Sequence, residues 1–393
     1  MGRNFLSDEF RFYGTEQTEL DDVIADLGTH TKSVKVSGAA IKWYCQYTFD
    51  GKDYLVEVPS GPFSEIGPSF EMWEVDGMLY DAGFTDDQRK VLFRTPHMYL
   101  GLRNAETGDI ELVPCHPSVT VNMAFTGVSG PALGTPDFGT ITHLRSLCES
   151  RNITLVMRTN EKGGKNIITI RSEQYMPYDQ SEVIRPVTQL GGKLSGWIVE
   201  NTLTRVAYAF EREIRIQVGG KTKTFNPEIE VSTSDSGDGS ICYRLFWSNG
   251  IRVTLAGYEI ARRHRGKITP KEREDIDTRL QALVDKAGDI EKIFNDLNTK
   301  RYYGEEAVTV FRNLLEDNKH FKAYCPKDTR KALVQRFSDA YASRLFVTGA
   351  EIVSEGLESP EEIANLTPKA FMELTKAAGE FPFQKLRGDV AVV

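Results

Sequence analysis

Hydrophobic and polar positions follow two different periods along the chain. Between residues 206 and 255, apolar residues alternate with polar ones in short runs bounded by Gly, Asn or Ser, a pattern typical of half-buried β-strands. Beyond Gly266 the apolar spacing becomes helical, beginning with Leu280, Leu283 and Val284. The sequence therefore predicts an α+β fold, with a largely antiparallel sheet region in the middle of the chain and a helical C-terminal region.

The N-terminal part mixes both periods with irregular stretches. Helical spacing over Thr15–Leu27 predicts a short amphipathic helix, and alternation over Ser33–Val58 around the turn Asp50-Gly51 predicts a β-hairpin. Residues 59–140 are rich in Gly, Pro and aromatic residues, which predicts irregular structure. Residues 140–151 indicate a helix, and residues 153–158 and 167–171 flank a polar turn as a second hairpin.

The start of the helical region carries a specific signal. Thr269-Pro270-Lys271-Glu272 combines a capping box with a proline at the first helical position. Further helices are expected near 304–317 and 327–344, and two more are expected to begin at Pro360 and at Pro368. We therefore predict three segments: an N-terminal mixed or irregular region with a β-hairpin at 1–140, a β-rich central domain at 141–266 and a helical C-terminal region at 267–393.

Composition places the chain among ordinary globular proteins, since 40% of residues are apolar and 26% are charged. The first residues lack the apolar run of a signal peptide, and the chain has no stretch with the roughly 18 apolar residues of a membrane span. The five cysteines are scattered and odd in number, which favours reduced thiols over a disulfide framework. These features predict a cytoplasmic protein without a membrane partner.

Charge is unevenly distributed along the chain. The net charge is −8, which disfavours binding of a polyanion by the whole surface. Residues 205–273 nevertheless carry about +5, while the flanking regions are acidic. A surface that contacts phosphate is therefore expected in the middle third.

The motifs that would indicate catalysis or a resident cofactor are incomplete. Gly219-Gly220-Lys221-Thr222 resembles the end of a phosphate-binding loop, but Arg215 stands where the first glycine is needed. The six histidines lack the spacing of zinc ligands, and the calcium-like run Asp235–Ser240 lacks its closing glutamate. The adjacent Cys115 and His116 point in different directions on a helix or strand. The sequence thus predicts no catalytic residue, metal or cofactor, and a metal-dependent nuclease would depend on Asp179, Asp235 and Asp238.

Four segments in the middle of the chain resemble a known family in their order and spacing. They are Ile170–Asp179, Val231–Gly237, Arg244 with Ser248-Asn249-Gly250, and Arg263-His264-Arg265-Gly266. The chain resembles in this way the phage- and plasmid-encoded family called domain of unknown function 932, over residues 150–300. The resemblance implies a phage-type origin and a bacterial host cytoplasm, without implying a particular reaction. Gln174 departs from the family, which usually has arginine before the tyrosine.

Two sets of residues favour binding of nucleic acid, and the nucleic acid we expect is single-stranded DNA. Arg244 alternates with Tyr243 and Trp247 on a predicted strand, and such a sheet offers aromatic rings for bases and cations for phosphates. Because side chains alternate between the faces of a strand, the same aromatics could instead fill the core.

The second set is a basic tract, Arg262-Arg263-His264-Arg265-Gly266-Lys267, just ahead of the predicted helix. The free N–H groups and the positive dipole at that helix start would add to its four fixed cations, Arg262, Arg263, Arg265 and Lys267. A solvated basic turn is the alternative interpretation.

A different class of function is also open. The acidic flanks and the aromatic, Gly/Pro-rich stretch from Pro59 to Phe93 would suit a protein that self-assembles or binds a protein partner, such as a structural phage component or an inhibitor of host defence. The leading prediction is a phage-type protein that binds nucleic acid in phage DNA metabolism without catalysis. Self-assembly or partner binding is the alternative.

Overall fold

The structure of the protein is a computed structural model. It describes residues 3–6, 10–49, 52–58, 97–103, 107–128, 133, 136–234, 240–249, 252–255, 257–264, 268–359, 374 and 377. Within these residues no helix is long and apolar enough to cross a membrane.

Helices and strands follow one another in the order expected for an α+β protein. The strands are β1 (Arg11–Gly14), β2 (Thr31–Ser37), β3 (Lys42–Phe49), β4 (Lys52–Glu57), β5 (His97–Arg103), β6 (Ile110–Pro114), β7 (Asn152–Thr159), β8 (Lys165–Ser172), β9 (Lys193–Glu200), β10 (Thr204–Ala209), β11 (Ile214–Val218), β12 (Lys221–Thr233), β13 (Ile241–Ser248), β14 (Arg252–Val253), β15 (Glu259–Arg262), β16 (Arg301–Tyr302) and β17 (Val347–Thr348). The helices are α1 (Gln17–His30), α2 (Phe138–Glu149), α3 (Gln180–Gln189), α4 (Pro270–Asp285), α5 (Asp289–Thr299), α6 (Gly304–Asp317), α7 (Lys319–Tyr324), α8 (Lys327–Tyr341) and α9 (Gly349–Glu358).

The largest sheet is antiparallel and has the order β1-β9-β10-β12-β13-β14, with β11 paired to β12 and β15 paired to β13. Apolar residues alternate along its strands, so that Val206 and Tyr208 face the core while Arg205 faces away. Helix α1 and the helices from α3 onward contribute side chains to the core on this face. The predicted α+β class, with antiparallel strands in the middle and helices toward the C-terminus, is confirmed.

The two predicted hairpins are present, but they belong to two smaller sheets. Strands β3 and β4 pair with Cys45 opposite Val56, in a sheet of order β4-β3-β5-β6. Strands β7 and β8 pair with Ile153 opposite Ser172, in a sheet of order β2-β7-β8. Side chains of both sheets and of α2 share a second core. Residues 97–103 and 110–114, expected to be irregular, form regular strands because they continue the first of these sheets.

The two cores divide the chain differently from the three predicted segments. The first core joins side chains of α1 to the large sheet and the C-terminal helices, whereas the second is built from residues 36–170. The buried Arg158 connects them, since its guanidinium lies 4.9 Å from the ring of Phe10 and donates a hydrogen bond to Asn201. The chain therefore leaves the first core after α1 and returns to it at α3.

The start of α4 has the predicted capping geometry. Thr269 accepts a hydrogen bond from the backbone N–H of Glu272, whose side chain accepts one from the backbone N–H of Thr269. Pro270 occupies the first turn, where its missing N–H removes no hydrogen bond. The predicted change from strands to helices after Gly266 is confirmed. The helices predicted to begin at Pro360 and Pro368 lie outside the described residues.

Candidate functional site

The basic tract begins where the large sheet ends. Arg262 is the last residue of β15 and pairs with Ile241 of β13, so its position is fixed by the sheet. Arg263 and His264 follow directly, whereas the predicted site residues Arg265 and Lys267 lie outside the described residues. The sheet therefore positions the first half of the tract.

The imidazole of His264 lies between two tyrosine rings. The ring of Tyr175 stacks on it at 5.6 Å with an interplanar angle of 24°, and the ring of Tyr178 lies 5.2 Å away at 30°. Both tyrosines come from the segment that connects β8 to α3. The backbone N–H of Met176 in this segment also donates to the His264 carbonyl, at 3.4 Å.

An arginine lies at each end of this arrangement. The guanidinium of Arg171 lies 5.3 Å from the centre of the Tyr175 ring, and that of Arg262 lies 4.9 Å from the Tyr178 ring. Such distances permit cation–π attraction. We call the five residues Arg171, Tyr175, His264, Tyr178 and Arg262 the arginine–aromatic stack. It links strand β8 of the three-stranded sheet to strand β15 of the large sheet.

His264 is a neutral member of this stack. Its side chain is 6% exposed, and neither ring nitrogen forms a hydrogen bond within the part of the chain that the structure describes. Burial, reinforced by the charge of Arg171, lowers the pKa of His264 to about 4. We predicted His264 as a nucleic-acid contact, and this is wrong because a buried, uncharged imidazole has no access to a phosphate.

The partners of Arg262 include Tyr178 and Glu272. It donates hydrogen bonds to the hydroxyl of Tyr178 and, over 3.2 Å, to the carboxylate Oε1 of Glu272 in the first turn of α4. The contact with Glu272 places the tract beside the N-terminus of α4. Arg262 thus remains part of the candidate site, but its charge is already compensated.

Arg263 differs from its neighbour. Its side chain is exposed, and among the described residues it forms no ion pair. It follows the last paired residue of β15 directly, so its backbone starts from a fixed point. Arg263 is therefore the described residue of the tract whose charge is available to a ligand.

Two of the residues predicted to contact nucleic acid on β13 point into the core. Tyr243 and Trp247 are 2% and 0% exposed, and they donate hydrogen bonds to the carbonyls of Val183, at 2.9 Å, and Ala287, at 2.7 Å. Their rings belong to the first core because α3 and the turn that follows α4 cover this face of the strand. Both predicted stacking residues are therefore wrong, and the core interpretation holds.

Arg244 points to the opposite face of the same strand. Its side chain is buried and forms a two-point ion pair with Glu259 on β15, with Nη2 and Nε at 2.7 and 3.0 Å from Oε2. The register of β13 and β15 places the two residues directly opposite each other. The predicted role of Arg244 in binding nucleic acid is wrong because its charge stabilises the sheet.

The residues weighed for catalysis do not assemble into a site within the described part of the chain. Cys115 is buried, which raises the pKa of its thiol, and the Nδ1 atom of His116 lies 2.7 Å from the hydroxyl of Ser118. Asp179 caps α3 by accepting from the backbone N–H of Ser181. The predicted acidic positions 235 and 238 lie outside the described residues, and no metal-binding group of three is present among the residues that were described.

A groove of about 1000 Å³ lies between α1 and α3, and Tyr178 forms part of its wall. Its rim carries the carboxylates of Asp21, Asp179 and Glu182 against the single guanidinium of Arg185. This excess of negative charge repels phosphate. The groove therefore adjoins the arginine–aromatic stack without extending a phosphate-binding surface.

Sequence reasoning missed three members of the stack, namely Arg171, Tyr175 and Tyr178. The available signal was the spacing of an arginine and two tyrosines in the segment that carries the family resemblance. No protein-family model matches the chain, and neither a curated protein nor a solved structure matches it. The resemblance stays a prediction.

Proposed function

We propose that the protein binds single-stranded DNA through phosphate contacts at the start of the basic tract. The observation that carries the proposal is Arg263, an exposed cation without an ion-pair partner among the described residues, seven residues before the first residue of the sixteen-residue helix α4. Arginine suits phosphate because its planar donors match the phosphate oxygens. The proposed setting is phage DNA metabolism in a bacterial cytoplasm, without catalysis by this chain.

The surroundings of Arg263 favour a rigid site. Arg262 pairs with Ile241 of β13, and the His264 carbonyl accepts from the backbone N–H of Met176, so the backbone is held on both sides of Arg263. A preorganised cation loses less conformational entropy when it binds its ligand. The helix α4, which follows the tract in the chain, adds a positive dipole end that attracts anions.

The proposed mode of binding is independent of base sequence. Tyr175 and Tyr178 each already contact two members of the stack, and Tyr243 and Trp247 lie in the core. These four rings therefore offer no platform for bases, and the proposed affinity rests on phosphate contacts at the basic tract. Phosphate contacts position a strand without reading its bases.

The test is replacement of Arg263 with Glu. Arg312 on α6 offers a matched control, since it is also exposed and without an ion pair among the described residues, and Arg312→Glu changes the net charge equally. Affinity for labelled oligonucleotides, both oligo-dT and mixed sequence, would be measured by fluorescence anisotropy over a salt series. We expect Arg263→Glu to weaken binding to both probes and to reduce the slope of log K against log salt by about 0.7, the value for one lost contact on a single strand.

Equal affinities for Arg263→Glu and Arg312→Glu, at unchanged melting temperature, would refute the proposal. Arg262→Glu, by contrast, is a poor test. It would also remove the contacts with Tyr178 and Glu272 and disturb the fold.

Self-assembly or partner binding is a second candidate function, and one surface favours it. Leu345 is 71% exposed and precedes Phe346 in the chain. The ring of Phe346 stacks on that of Tyr303 at 5.6 Å, and both residues are also more than a third exposed. Exposed apolar clusters of this kind often mark protein contacts. Sedimentation velocity of the wild type and of Leu345→Ser, with the 260/280 nm absorbance ratio, tests this candidate. A monomer in both cases would exclude self-assembly through this surface.

A further inference from the structure

The carboxylate of Glu272 occupies an anion position next to the proposed phosphate site. Its Oε2 atom accepts from the backbone N–H of Thr269 at 2.8 Å and lies 3.0 Å from the Thr269 hydroxyl. Its Oε1 atom accepts from Arg262 at 3.2 Å. A helix N-terminus, a hydroxyl and a guanidinium thus converge on one carboxylate.

We infer that Glu272 is an internal competitor that holds Arg262 and thereby limits the affinity of the tract for phosphate. This inference rests on the proposed function, because it concerns the regulation of the same site. A carboxylate presents two oxygens to a guanidinium, as a phosphodiester does. The two anions therefore compete for the same donors of Arg262.

The carboxylate of Glu272 is negatively charged throughout the neutral pH range. Hydrogen bonds from Thr269, followed by the contact with Arg262, lower the pKa of Glu272. Its negative charge is therefore present whenever the protein meets a nucleic acid. Protonation does not release Arg262 under such conditions.

The contact is nevertheless open to exchange. The side chain of Glu272 is 46% exposed, whereas that of Arg262 is 16% exposed. An ion pair with one partner this exposed contributes little net stability and is screened by salt. Arg262 is also tied to the hydroxyl and ring of Tyr178, so its guanidinium stays in place when a phosphate displaces the carboxylate. Glu272 meanwhile retains its hydrogen bonds to Thr269.

The test is Glu272→Gln, which removes the charge but keeps an acceptor for the capping box, where glutamine also serves. Glu182→Gln is the matched control. Glu182 on α3 pairs with Arg273 on α4 at 2.8 Å, and within the described structure neither of these two residues forms an ion pair or hydrogen bond with Arg262. Both variants remove one negative charge near the N-terminal turns of α4.

We expect Glu272→Gln to bind oligo-dT about 2- to 5-fold more tightly than the wild type at low salt, the range set by the strength of an exposed ion pair. The gain should shrink as salt rises, because salt screens the Glu272–Arg262 ion pair of the wild type, so the salt slope should become steeper by less than the roughly 0.7 of a full contact. Glu182→Gln should change the affinity less and leave the slope unchanged. The double variant Arg262→Gln/Glu272→Gln should lose the gain, and melting temperatures would confirm that each variant is folded.

The outcomes separate this inference from the proposed function. If Arg263→Glu weakens binding but Glu272→Gln matches the wild type or Glu182→Gln, the inference is wrong and the function stands. If the gain persists in the double variant, Arg262 is not the released cation and the inference is again wrong. If the wild type does not bind oligo-dT, or Arg263→Glu behaves like its control, the function and the inference both fail.

Discussion

The buried imidazole of His264 makes the stability of the protein depend on pH in a predictable direction. Its pKa lies at about 4 in the folded protein, compared with 6.5 for an ordinary histidine. The unfolded chain therefore takes up a proton first as the pH falls. The stability associated with the neutral imidazole is fully present above about pH 6.5 and is lost as the pH falls toward about 4.

The size of the effect follows from the interval between the two pKa values. At roughly 1.4 kcal/mol for each pH unit, the loss approaches about 3 kcal/mol near pH 4 and reaches about 2 kcal/mol at about pH 5. The physical cause is the surroundings of the ring. Tyr175 and Tyr178 exclude water from its faces, and Arg171 and Arg262 disfavour a third positive charge between them.

His264→Phe isolates this contribution, because phenylalanine retains an aromatic ring between the two tyrosines and cannot be protonated. The free energy of unfolding would be measured by guanidinium denaturation for both proteins at about pH 7, 6 and 5. We expect the wild type to lose about 2 kcal/mol more than the variant between the first and last conditions. The other five histidines and the carboxylates are common to both proteins, so they cancel in the comparison. If the free energy of unfolding falls equally with pH in the two proteins, His264 is not a buried neutral residue.

Two further predictions concern the cores. Trp247→Ala should lower the free energy of unfolding by roughly 3–5 kcal/mol, because the ring is fully buried and hydrogen-bonded. The fraction of the variant that remains folded should bind oligo-dT with unchanged affinity. A loss of affinity without a loss of stability would indicate that Trp247 stacks on a base. Native protein should react with a thiol reagent first at Cys242, which is partly exposed, since burial raises the pKa of Cys148 to about 12 and also raises the pKa of Cys45 and Cys115. Mass spectrometry of a brief labelling reaction checks this order, and early modification of Cys45 would contradict the buried second core.

Local signals in the sequence were sufficient for much of the secondary structure. The change of period at Gly266 separated strands from helices, and the Thr269–Glu272 capping box placed the start of α4. Both signals depend on residues within a few positions of each other, so they act before any tertiary contact forms. Strands β9 and β15 and helix α3 were missed. In α3, Pro186 obscures the helical pattern, although the helix is maintained.

Alternation along β13 determined that Tyr243 and Trp247 share one face and that Arg244 occupies the other. It could not determine which face is covered, because the groups that cover it come from distant positions. Val183 is 60 residues from Tyr243, and Ala287 is 40 residues from Trp247. Only the packing of the helices against the sheet assigned these aromatics to the core.

The basic tract shows the same division. Its composition and its place before a helix were properties of the sequence. The separation into a buried neutral His264, a compensated Arg262 and an available Arg263 depends on Tyr175 and Tyr178, which lie more than 80 residues earlier. Burial and ion pairing are properties of atoms brought together in space, and they set the charge that a ligand meets. The sequence by itself therefore determined where cations are concentrated, and the tertiary structure decided which of the described ones remains free to bind.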